Sequence, residues 1–206
     1  MASMITTSIR TTVATIGLGL TLLGAAACAP TAAPIPPTVG RIAVLPPCDA
    51  SGAPLSPTGS AVRYDMPSDS LARLLASAAA EELARHGLQV VDQHVVAVAT
   101  GGRVPSSPET AAAIVRSAKL DATPLFLRVR RWEWPYSTMQ TAEIRVALDA
   151  MLVDPITGQV VWQVQRPARP VPLHGRLIAG QADAVAAEEV MKEVFAPLGR
   201  RRLTPD

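Results

Sequence analysis

An α+β fold is what this sequence predicts: a mixed sheet with helices packed mainly on one face, in the order β-α-β-α-β-β-β-α, with an antiparallel hairpin before the last helix. Three observations carry this. Short β-branched runs alternate with segments of helical spacing as far as Lys119. From Leu125 onward the apolar residues recur every second position instead. Asp154-Pro155-Ile156-Thr157-Gly158 then supplies the turn chemistry of a hairpin, with Pro preset for the bend and Gly free to take positive φ.

Each element follows from its residues. Arg41-Ile42-Ala43-Val44-Leu45 reads as a buried strand stopped by Pro46-Pro47, and residues 48–67, rich in Gly, Pro, Ser and Asp, read as a long loop. Ser68 or Asp69 caps a helix running to His86, with Leu71, Leu74, Leu75, Ala78, Ala79 and Leu83 on its apolar side and Gly87 as its left-handed stop. Leu88 to Val91 forms a second strand. His94 to Ala99 suits either a strand or a short helix, closed by Gly101-Gly102. Ser107-Pro108-Glu109 starts a helix with an N-cap, a first-turn Pro and an acid at the positive end of the dipole. Leu125, Leu127 and Val129 alternate along the next strand, and Ile144 to Leu152 and Val160 to Val164 form the hairpin. Arg166 to Gly180, with Pro167, Pro170 and Pro172, reads as a second flexible segment, followed by a helix from about Ala182 to Phe195.

The amino-terminal residues carry a different message. A leader with one charge, Arg10, is followed by an apolar run closing on Leu22-Leu23-Gly24-Ala25-Ala26-Ala27-Cys28. The run is too short for a membrane span of about 20 apolar residues and reads as a cleaved signal over residues 1–27. Its end resembles the lipobox of bacterial lipoproteins, although Ala25 stands where that motif usually has Leu. The resemblance implies that Cys28 becomes the first mature residue and carries acyl chains, an effectively permanent anchor when two or three are present. Ala25-Ala26-Ala27 also suits an ordinary A-x-A signal peptidase, so plain secretion is the competing reading. Ala29 follows Cys28, whereas lipoproteins kept at the inner membrane of enteric bacteria carry Asp there, which points to the outer membrane. Residues 28–40, Pro-rich and uncharged, are expected to form an extended tether with no core of its own.

Composition bounds the rest. Removing the signal leaves roughly 180 residues, enough for one domain over residues 41–200 with a short tail at 201–206. The net charge is +2 with 19 basic and 17 acidic residues, which argues against nucleic acid, whose phosphates call for concentrated Lys and Arg. Of the two cysteines, acylation of Cys28 leaves Cys48 without a partner in the chain, so this is no disulfide scaffold.

The element order, opened by Arg41-Ile42-Ala43-Val44-Leu45-Pro46-Pro47, resembles the TolB amino-terminal-like envelope lipoproteins. That group includes the curli-secretion lipoprotein CsgG, the penicillin-binding-protein activator LpoB and a lipoprotein family typified by a neisserial surface antigen. The last is most similar, sharing a Leu-Pro-Pro strand end, a helix start like Ser107-Pro108, and a turn like Asp154 to Gly158 followed by Val160-Val161-Trp162-Gln163. The likeness covers residues 41–165 and the order of the last helix, and residues 166–180 depart from it. It implies an envelope accessory protein that binds partners or self-associates, with no catalytic residues to carry over.

Candidate chemistry is sparse. Cys48 could serve as a nucleophile with His86, His94 or His174 as base, but His86 at a helix end is already favoured by the dipole, and no cysteine-enzyme signature surrounds Cys48. No metal-ligand spacing occurs, and Gly101-Gly102-Arg103 lacks the phosphate-loop spacings, so no cofactor is expected. Glu81-Glu82 and Glu188-Glu189 read as solvated helix faces. The row Arg128, Arg130, Trp132, Trp134 is the candidate partner-binding surface: strict alternation puts all four opposite Leu125, Leu127 and Val129, and Arg and Trp dominate binding hot spots. A bulge near Arg130-Arg131 would instead swing the Trp pair into the core. The expected protein is therefore non-enzymatic, lipid-anchored, facing the periplasm from the outer membrane and serving assembly, secretion or cell-wall synthesis. Its partners would be the membrane and other envelope proteins or a second copy. The alternatives are an auxiliary lipoprotein of a lipid or solute transport system and a small hydrolase using Cys48.

Overall fold

Strand order β3-β1-β4-β5-β6 defines the sheet of the computed structural model, with β2 paired to β4 beyond the end of β1. The structure describes residues 34–36, 39–51, 68–133, 143–173 and 179–198. The described residues all belong to one compact unit within Thr31–Asp206. The signal, Cys28, Trp134, His174 and the tail at 201–206 lie outside them. In chain order the elements are β1 (Arg41–Val44), β2 (Cys48–Asp49), α1 (Ser68–Arg85), β3 (Gln89–Val90), α2 (Gln93–Thr100), α3 (Pro108–Ser117), β4 (Thr123–Glu133), β5 (Glu143–Val153), β6 (Val160–Pro172) and α4 (Ala179–Phe195), with a 3-10 turn at Ala196–Leu198. The α+β class is the one the sequence predicts. Strands β3, β1, β2 and β4 run parallel, and β4, β5 and β6 run antiparallel.

Local chemistry explains the boundaries. Pro46 and Pro47 have no N–H to donate, so β1 breaks off after Leu45 donates to the Leu125 carbonyl (3.2 Å). Pairing then resumes in β2, where the sequence suggested loop, and Ala50 donates to the Val129 carbonyl (2.8 Å). The segment left open between strand and helix is α2: the Asp92 carboxylate caps it by accepting from His94 N (2.8 Å) and Val95 N (3.2 Å), and Gly101 ends it at φ 64°. Helix α3 starts where expected, with a reciprocal capping box between Ser107 and Thr110.

Two expectations fail in the same direction, toward more order. Strand β6 continues to Pro172 through the segment expected to be flexible. It is an edge strand, so its prolines withhold donors from no partner on the outer side. A bulge absorbs one extra residue, since Leu148 pairs with Arg166 while Val146 pairs with Arg169. The tether also contributes to the core: Val39 is only 5% exposed, Ile35 packs beside it, and Val39 N donates to the Pro36 carbonyl (3.1 Å).

Helices are weighted to one face of the sheet. Long α1 and α4 cover the face carrying Ile42, Val44, Leu125, Leu127, Leu148 and Leu152, forming the larger core. Short α2 and α3 cover Ala43, Leu45, Phe126, Met151 and Val153 on the other face. Beyond that cover no described element lies over the second face along the upper half of β4, β5 and β6, where Arg128, Arg131, Arg145, Gln163 and Gln165 are exposed.

Candidate functional site

The Arg and Trp row of β4 lies at the border of that open face, and a bulge decides which way each side chain points. Val129 pairs with Leu148 and Arg131 with Ala147, so Arg130 is the extra residue. From there the alternation is inverted. Trp132 pairs with Val146 and points to the α1/α4 side, packed partly buried against the larger core. Its indole Nε1 donates to Asp183 Oδ1 of α4 (3.1 Å). Strict alternation therefore fails at Arg130, and the four residues do not share a face: Arg128 remains on the open one, Trp132 has crossed over, and Trp134 lies outside the described residues.

Arg130 bends over the open face. Its Nε donates to Asp149 Oδ1 (2.9 Å) and an Nη donates to the Arg166 carbonyl (3.2 Å). Asp149 sits between Arg128 on β4 and Gln165 on β6, yet its side chain is only 6% exposed because the guanidinium covers it. Arg128 is left exposed, with no hydrogen bond or ion pair of its side chain among the described residues.

A second polar cluster, which the sequence reading missed, lies on the α1/α4 side. Arg166 is 4% exposed. Its Nε donates to Glu193 Oε2 of α4 (2.7 Å), and one Nη donates to the Val146 carbonyl and to the Arg169 carbonyl (3.3 Å). Arg169 adds a second bond to Glu193 (3.2 Å). The available signal was alternation itself: Trp162, Val164 and Arg166 fall on one face, and a buried guanidinium demands a carboxylate. Pro167 hid it by suggesting that the strand had ended. Beside this cluster, β6 and α4 enclose a groove of about 690 Å3, with Pro170, Pro172, Leu173 and Val185 on its walls and Glu188 and Lys192 at its rim.

The remaining candidates are scattered. Cys48 is half-buried on β2 against the smaller core. The His86 imidazole is 3.4 Å from Glu82 on its own helix end, and His94 is exposed on α2. Among the described residues no group of three or more His, Cys, Asp or Glu is placed to hold a metal ion, and no helix is long and apolar enough to cross a membrane.

Fold and site together define an α+β domain with an open, arginine-bearing sheet face. No protein-family model matches the chain, and no curated protein matches it. Among solved structures it is similar to the PelC dodecamer from Paraburkholderia phytofirmans, at 19% identity over 83% of this chain and 96% of that one, with a TM-score of 0.49. It is also similar to lipoprotein GNA1162 from Neisseria meningitidis (20% identity, 75% and 97% covered, TM-score 0.44) and to the LpoB C-terminal domain from Salmonella enterica (15% identity, 65% and 83% covered, TM-score 0.34). At these scores the functional reading rests on the chain's own residues.

Proposed function

We propose that this chain is a lipid-anchored, periplasm-facing accessory lipoprotein of the bacterial outer membrane whose domain binds another envelope protein and makes no bonds. The observation that supports it most is the lipobox-like stretch ending at Cys28, ahead of a domain in which three of the candidate polar side chains hold strands and helices together. Arg130 is held by Asp149, Trp132 by Asp183, and Arg166 by Glu193. Arg128 is then the residue of the row best placed for a partner: exposed, in the middle of a central strand, and on the same open face as Gln165 of β6, from which Asp149 of β5 separates it. Trp132 and Arg130 support that face more than they present themselves on it.

Crosslinking in the native envelope, followed by mass spectrometry of the processed chain, tests both halves. Added acyl mass on Cys28 is expected, together with a defined crosslinked partner whose recovery falls in Arg128→Glu while the melting temperature stays unchanged. An unmodified amino end would refute the anchor, and partner recovery indifferent to Arg128→Glu would refute the surface. A second reading, an auxiliary lipoprotein of a transport system, calls for an apolar groove; the one beside α4 has the volume for a small ligand, but Arg166, Glu188, Glu189, Lys192 and Glu193 make its lining half charged. Co-purified lipid that is lost on substituting Val185→Asp would favour that reading.

A further inference from the structure

Helix α2 turns an apolar side to solvent. It is held to the sheet by Val96, which belongs to the smaller core, by Thr100, whose hydroxyl donates back to the Val96 carbonyl (2.7 Å), and by half-buried Gln93. Its remaining positions, His94, Val95, Ala97, Val98 and Ala99, are all exposed. Val95 is 48% and Val98 68% exposed, and Val104, shortly beyond the helix, is 57% exposed. Helix α3 covers the same face of the sheet and shows the ordinary solution, an outer side carrying Glu109, Thr110, Arg116 and Ser117. Local helix formation does not explain the difference, because valine is a poorer helix former than the Lys, Glu or Gln that suit exposed positions. Val95 and Val98, three residues apart, are neighbours on one stripe and form a patch rather than scattered apolar positions.

Opposite charges frame that patch. Asp92 caps the helix at its start, and Arg103 lies just past its end. Both are exposed, and neither makes an ion pair among the described residues. The Arg103 guanidinium is positioned, and not neutralised, by donating to the Thr100 carbonyl (2.9 Å) and to Ser117 Oγ (2.7 Å). Between helix and arginine, Gly101 and Gly102 turn the chain at φ 64° and 66°, and a Cβ at either would meet nothing within 4 Å. A side chain from outside can lie against bare backbone there.

We infer that this face of α2 docks on the same face of a second copy of the chain, the two helices running antiparallel about a twofold axis at Val98. A twofold contact is self-complementary. Antiparallel placement sets Asp92 of each copy beside Arg103 of the other and opposes the helix dipoles, whereas parallel placement sets like charges together. Val98 lies near the midpoint between the two charges in the chain, so it falls at the axis, with Val95 against the glycines of the other copy. A purely acidic or purely basic partner would gain one of the end contacts and be repelled at the other. Interfacial membrane helices carry Lys and Arg beside their apolar face, and α2 contains neither. The open side of an 8-residue helix is small against the about 800 Å2 per partner of a standard interface, so the pairing is expected to be weak and to form at high local concentration. It does not depend on the anchor at Cys28.

Disulfide trapping of the full chain in intact producing cells tests it, in a Cys48→Ser background. Val98→Cys, at the axis, is compared with Ile156→Cys, whose native residue is 80% exposed on the β5–β6 turn. The background chain itself registers any pairing through Cys28. Mild oxidation is expected to give a dimer with Val98→Cys well above both controls, joined position 98 to position 98 in peptide maps. Adding Val95→Lys or Arg103→Glu is expected to reduce it. Asp92→Asn, which keeps a capping side chain, is expected to restore part of the dimer beside Arg103→Glu, which separates lost charge pairing from misfolding. Trapping of Val98→Cys no stronger than that of Ile156→Cys overturns the inference. A dimer indifferent to Arg103→Glu overturns the antiparallel arrangement. Val98→Cys joined instead to a different protein assigns the face to that partner and overturns the pairing of copies.

Discussion

Arg130 shows how one inserted residue sets the energetics of its surroundings. Because the bulge lays its guanidinium over Asp149, that carboxylate is shielded from water and depends on its partner. Arg130→Ala strands the charge, and with the Arg130 side chain 38% exposed the cost is expected at about 1–3 kcal/mol, below that of a wholly buried pair. Arg130→Met with Asp149→Leu together is expected to lose less than Arg130→Ala alone, and denaturant unfolding of the set checks it; additive losses would show that the pair is not coupled. Trp132 separates packing from hydrogen bonding. Truncation to Ala is expected to cost about 2–4 kcal/mol because the ring packs against the larger core, whereas Trp132→Phe keeps most of that contact and loses about 1 kcal/mol with the bond to Asp183. A melting temperature indifferent to Trp132→Ala would mean that the ring is a surface group.

The β5–β6 turn is the element whose behaviour is set most by charge. Backbone N–H groups of Thr157 and Ile156 point at the Asp154 carboxylate and hold its carboxyl below the ordinary aspartate value. A depressed value stabilises the folded form above the unfolded-state value and loses that contribution as pH falls through the folded one. The turn is therefore expected to keep its order through neutral and mildly acidic conditions and to loosen only in acid below the ordinary aspartate range. Amide shifts of Ile156 and Thr157 followed by NMR would report it, and a midpoint at or above that range would count against the carboxylate as the organiser. This turn was legible in the sequence because its chemistry is local, as were the Ser107-Pro108 helix start and the Gly87 stop. A bulge near Arg130-Arg131 was one of the two readings the sequence offered, and what decides for it, the bond from Trp132 to Asp183 51 residues away, is not local. Strand β6 was cut short for a similar reason. Pro167 is a breaker inside a sheet and harmless on its edge, and edge position is a property of the assembled sheet. The Arg166 and Glu193 pair, which joins that strand to α4, stayed hidden with it.

At the scale of the molecule, one sheet separates a large core under α1 and α4 from a small one under α2 and α3, and the large core reaches back into the Pro-rich segment before β1. Composition alone made residues 28–40 look like pure spacer, because two apolar side chains among prolines and threonines carry no periodic signal. Val39 and Ile35, four residues apart, nonetheless close the core beside β1. Burying a Val side chain fully is worth about 1.5–3 kcal/mol, and half-buried Ile35 adds part of the same again. A chain beginning at residue 41 is thus expected to be about 2–4 kcal/mol less stable than one beginning at residue 34. The difference should show as a lower urea midpoint with little change in slope, because the rest of the buried surface is common to both. Equal midpoints would return residues 34–40 to the spacer and lengthen the leash between Cys28 and the sheet. A lower midpoint for the shorter chain would mean that the segment before β1 is itself part of the fold; under the proposed acylation of Cys28, tension on that anchor would then be borne by the core.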